Sequence, residues 1–65
     1  MNKKMQVADI TLNERGLRFV VVRDYNKKVN AYTVKQKWYD LGWHEKTMVH
    51  YDDMKSCLHF IAAYA

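Results

Sequence analysis

The sequence predicts an α+β domain, a four-stranded antiparallel meander sheet with one C-terminal helix packed on one face. Three observations lead there. Apolar and polar residues alternate over most of residues 5–50, broken by short polar turns. From Asp52 the period changes, so that Met54, Cys57, Leu58, Ile61 and Ala65 share one helical stripe. Hairpin registers chosen from turn length then place the apolar strand residues on one face, which that stripe can cover.

Met5 to Leu12 reads as the first strand, with Ala8, Ile10 and Leu12 alternating with Asp9 and Thr11. Asn13 to Gly16 is a turn in which glycine accepts positive φ without steric cost. Leu17 to Asp24 is the second strand, β-branched through Val20, Val21 and Val22. Tyr25 to Lys28 turns again, and Asn26 tolerates the left-handed region. Val29 to Tyr39 is the third strand, Asp40-Leu41-Gly42 the third turn, and Trp43 to His50 the fourth strand. Asp52 or Asp53 is expected to cap the helix, which runs on to the C-terminus.

Pairing Leu12 with Leu17 sets Ile10 opposite Phe19 and Ala8 opposite Val21. Pairing Asp24 with Val29 sets Val21 opposite Tyr32 and Phe19 opposite Val34. Pairing Tyr39 with Trp43 sets Val34 opposite Met48 and Lys37 opposite Glu45. The apolar face so formed holds Ala8, Ile10, Leu12, Leu17, Phe19, Val21, Tyr32, Val34, Trp38 and Met48. The other face carries Val7, Val20, Val22, Val29, Ala31 and Val49, ringed by Arg18, Thr33, Lys35, Lys37, Tyr39 and Trp43. One helix cannot cover both faces, and a solvated sheet face normally reads polar. Val20, Val22, Ala31 and Val49 are therefore expected to form an interface, with a partner protein or with a second copy in a two-fold dimer.

The chain has 65 residues, enough for one domain. A domain of this size buries only about 60% of the surface its unfolded chain exposes, leaving no room for a deep active site beside the core. Lys and Arg number 11 against 7 Asp and Glu, so a net charge of +4 favours an anionic partner, although the basic residues are dispersed. The single cysteine, Cys57, excludes an internal disulfide and reads as a small buried apolar residue. Met1 to Lys4 is polar and basic with no apolar run behind it, so neither a signal peptide nor a membrane span is expected, and the cytoplasm is the expected compartment.

No catalytic or cofactor pattern emerges. Cys57 and His59 lie two apart on a helix and point to different faces, which does not suit zinc. Asp52 and Asp53 are adjacent at a helix start and serve as caps rather than as an acid–base pair. Ser56, Cys57 and His59 cannot assemble a nucleophile, base and orienting group from one helix. Arg18, Lys35, Lys37, Tyr39 and Trp43, cations set among aromatics, form the pattern of a platform for single-stranded nucleic acid. The plainer alternative makes Tyr39 and Trp43 a cross-strand pair and Trp38 a core residue. Binding without catalysis or cofactor is thus the expected function, directed at a protein or, alternatively, at nucleic acid.

Trp38 to Ile61, WYDLGWHEKTMVHYDDMKSCLHFI, contains a Gly-Trp-His turn, a basic strand, Tyr-Asp and a short amphipathic helix. This segment, about a third of the chain, resembles the C-terminal part of small proteins encoded by phages and mobile elements of bacteria. Many of those bind and disable a host protein, anti-CRISPR proteins among them. The resemblance implies an inhibitor or accessory factor acting on a host protein.

Overall fold

The computed structural model describes residues 3–65; Met1 and Asn2, the start of the polar N-terminal segment, lie outside the described residues. Four strands, β1 (Lys4–Leu12), β2 (Leu17–Asp24), β3 (Tyr32–Tyr39) and β4 (Trp43–Tyr51), precede one helix, α1 (Met54–Ala62). The strands form a single antiparallel sheet in the order β1-β2-β3-β4. The α+β meander expected from the alternation is the fold. Among the described residues no helix is long and apolar enough to cross a membrane.

The first hairpin has the expected register, with Leu12 opposite Leu17, Ile10 opposite Phe19 and Ala8 opposite Val21. Gly16 takes φ +66 in its turn. A bulge between Gln6 and Ala8 leaves Val7 outside the ladder.

The second hairpin departs from expectation. β3 begins at Tyr32 rather than Val29, and Val21 faces Val34 instead of Tyr32. The longer connection closes on a bond from the Asp24 N–H to the Ala31 carbonyl, 2.8 Å. Asn30, at φ 52, gives its N–H to the Asp52 carboxylate at 2.6 Å, tying the connection to the start of the helix. The slip is two residues, and because side chains alternate, an even slip keeps every β3 residue on its predicted face.

The third hairpin begins as expected, with Tyr39 opposite Trp43 and Lys37 opposite Glu45. A bulge then intervenes, so that Lys35 faces Thr47 while Val34 faces Val49. Met48 is the extra residue. Val49 therefore turns to the helix side and packs against the core, contrary to its expected place on the opposite face.

Phe19, Val21, Val34, Cys57 and Ile61 form the core, each no more than 2% exposed. Burial in this apolar setting pushes the Cys57 thiol above its ordinary pKa. Asp53, not Asp52, caps α1, its carboxylate accepting from the Ser56 N–H at 2.7 Å. That bond, with Lys55 and His59 nearby, holds the carboxyl below its ordinary pKa. The buried stripe is also rotated from expectation. Leu58 is exposed, whereas Phe60 and Tyr64 pack inward, Phe60 against Tyr51 (6.2 Å between ring centroids) and Tyr64 against Phe19 (5.1 Å). The helix thus runs from β4 toward β2, leaving the β3–β4 turn uncovered.

Candidate interaction surface

The β3–β4 hairpin closes through Leu41 at φ 56 and Gly42 at φ 143. A leucine in the left-handed region is strained, since its Cβ crowds the following carbonyl. Two bonds hold the turn, from the Asp40 N–H to the Gly42 carbonyl and from the His44 Nε2–H to the Asp40 carbonyl, both 2.9 Å. Around it stand four large apolar side chains. Leu41 is 99% exposed, Tyr39 68%, Trp43 61% and Trp38 41%.

The two sides of the hairpin differ. On the helix side Trp38 stacks on its cross-strand partner His44, with ring centroids 5.6 Å apart, beyond the reach of α1. Trp38 is therefore not the core residue the alternation suggested. On the other side Tyr39 meets Trp43 edge-on at 5.5 Å. The Arg18 guanidinium lies 5.2 Å and the Lys37 ammonium 5.9 Å from the centre of the Trp43 ring, a cation–π arrangement. Four of the five residues marked as a nucleic-acid platform thus lie in one cluster.

Acidic neighbours temper the charge of this face. Arg18 donates from Nε and one terminal nitrogen to the two Asp9 carboxylate oxygens, at 3.0 and 2.6 Å. The Arg18 hydrogen bonds hold the Asp9 carboxyl below its ordinary pKa. Lys35, the fifth marked residue, donates to Glu45 at 2.8 Å and lowers that carboxyl likewise. Farther along, Thr33 and His50 share a hydrogen bond of 2.8 Å.

The valine-centred interface is corrected. Val20 is 3% exposed in the single chain, flanked by Arg18 and Val22 along β2 and facing Asp9 and Lys35 across the sheet. Long charged side chains such as Arg18 and Lys35 cover apolar neighbours with their stems while their heads stay paired at the surface, which accounts for the burial of Val20. Val22 is half-buried, Ala31 is buried where the β2–β3 connection enters β3, and Val49 belongs to the helix side. These four residues make no continuous exposed patch.

What sequence reading missed is Leu41 and the exposure of Trp38. The signal was present, since Trp38 to Trp43 puts large apolar residues on both faces of the strands and at the turn itself.

Comparison with protein-family models, with curated proteins and with solved structures finds no match to this chain.

Proposed function

We propose that this domain is a non-catalytic binding module that inserts its β3–β4 hairpin into a protein partner. The carrying observation is the exposure of Trp38, Tyr39, Leu41 and Trp43 around one turn. Tryptophan and tyrosine dominate the energetics of protein interfaces, and they bury much area for little lost rotamer freedom. Leu41 at the apex, on a backbone that leucine does not favour, suits a side chain that enters a pocket. The sequence resemblance favours a host protein as the target, with the domain acting as an inhibitor or accessory factor, and the polar, basic Met1 to Lys4 favours the cytoplasm.

The test is parallel affinity capture from a bacterial host extract with the wild type and a Leu41→Asp/Trp43→Ala double variant. A protein held by the wild type, released by the double variant and retained by a control with Arg15→Glu supports the reading. Identical captures from all three sink it. Sedimentation of the purified chain distinguishes the remaining use of the same hairpin, contact between two copies.

A second reading, single-stranded nucleic acid, is favoured by the setting of Trp43 between Arg18 and Lys37 with Tyr39 beside it. Stacked bases contribute about 1–3 kcal/mol each on such aromatics. We rank it second because Arg18 and Lys35 already have carboxylate partners, and because it leaves Trp38 and Leu41 without a role. Phosphate contacts would give a log–log salt slope of about −0.7 each. Oligonucleotide binding that is absent at low salt, or indifferent to Trp43→Ala, removes this reading.

A further inference from the structure

We infer that Arg23 is an oxyanion-recognition point, distinct from the hairpin and at the opposite end of the sheet. Arg23 stands on the helix side of β2, facing Met5 on β1 and Tyr32 on β3. Its guanidinium lies 4.5 Å from the centre of the Tyr25 ring and 5.3 Å from that of Tyr32. Aromatic contact of this kind occupies the faces of a guanidinium and leaves its hydrogen-bonding edges free.

Those edges have no acceptor among the described residues. Nε is buried without a hydrogen-bond partner, and among the buried side-chain polar atoms of the described residues it is alone in this. The carboxylates of the neighbouring turns accept from backbone N–H groups, Asp24 from Asn26 at 3.0 Å, Asp52 from Asn30 at 2.6 Å and Asp53 from Ser56 at 2.7 Å, and among the described residues none forms an ion pair with Arg23. An arginine held against two rings, charged and without an acid among the described residues, is unusual because such groups are normally paired. With Nε enclosed, the usable edge is the pair of terminal nitrogens. That edge matches two oxygens of a carboxylate or a phosphate, approached end-on.

The ligand class is therefore a carboxylate or phosphate group, free or carried by a larger partner. The site does not depend on the hairpin reading. The test follows the Arg23 Nε–Hε resonance and the Tyr25 and Tyr32 ring resonances by NMR. The wild type is titrated with sodium phosphate and, separately, with sodium acetate, each against sodium chloride at matched ionic strength. A saturable shift at Arg23 and both rings, in the millimolar range and beyond the chloride control, is expected. Response to one salt alone identifies its group as the ligand; response to both supports a general oxyanion point. Arg23→Lys, which keeps the charge but loses the fork, is expected to weaken the ring response several-fold, and Arg23→Gln to abolish it. Should Arg23→Gln fail to fold, Tyr25→Ala, which removes one wall at an exposed position, is expected to weaken the response instead. Wild-type shifts no larger than with chloride, or an unchanged ring response in folded Arg23→Gln, would overturn the assignment.

Discussion

Val49 sits directly across from Val34, while the next residue along β3, Lys35, sits across from Thr47. The single extra residue between Thr47 and Val49 reverses the facing of the end of β4. It gives the core a valine and leaves Thr47 opposite Lys35 on the other face. A bulge of this kind also bends the edge strand, which discourages pairing with other chains.

Val49→Lys tests that placement. On an open face lysine would be tolerated, but against Val34 and the helix it must either bury its charge or open the packing. The expected loss is at least about 2 kcal/mol, read by urea denaturation. A variant as stable as the wild type would return Val49 to the outer face.

Phe19 lies at 0% exposure in the core, against Tyr64 of the C-terminal segment. Phe19→Ala should cost about 3–5 kcal/mol. A chain of 65 residues holds only about 3–10 kcal/mol in all, so the variant should be largely unfolded by circular dichroism at ordinary temperature.

Leu41 offers a separation of stability from binding. Its positive φ costs on the order of 1–2 kcal/mol for an L-residue, whereas glycine gives up about 0.5–1 kcal/mol in chain entropy. Leu41→Gly is therefore expected to fold with wild-type stability or slightly better, within about 1 kcal/mol, yet to lose partner capture. Reduced stability with capture intact would show that the apex is structural rather than a contact.

Acid should weaken the domain through its exposed carboxylates. Asp53, Asp9 and Glu45 all have folded pKa values below their ordinary ones, held down by the Ser56 N–H, Arg18 and Lys35 respectively. The folded state thus binds these protons less tightly than the unfolded chain. Their stabilisation is complete above the ordinary values of 3.8 for aspartate and 4.5 for glutamate, and is lost as pH falls through the lowered folded values. Urea midpoints should be flat near neutrality and fall below about pH 5. Asp53→Ala should lower the neutral midpoint and shrink the acid limb; an acid limb of undiminished size in this variant would assign the effect elsewhere.

Sequence alone determined the four strands, their antiparallel order and the C-terminal helix, because period-2 alternation and a change to helical spacing are local properties of the chain. It also determined that Arg18, Lys37, Tyr39 and Trp43 share one face and that Tyr39 meets Trp43 across a short turn. Arg18, however, came to face Lys37 rather than Lys35 only through the two-residue slip of the second hairpin. Tertiary structure decided the rest. The β2–β3 connection is long because Asn30 and Ala31 bond to partners elsewhere, Asp52 at the helix start and Asp24 across the turn. Val49 changed face through one bulge, and Val20 became buried among neighbours whose charges pair in a way no local pattern announces. Trp38 lies exposed because α1 is nine residues long and runs toward β2, ending its cover short of the hairpin. Side-chain facing is a one-residue property that a single insertion inverts, and exposure depends on what another element happens to cover. Both are settled only when the elements pack.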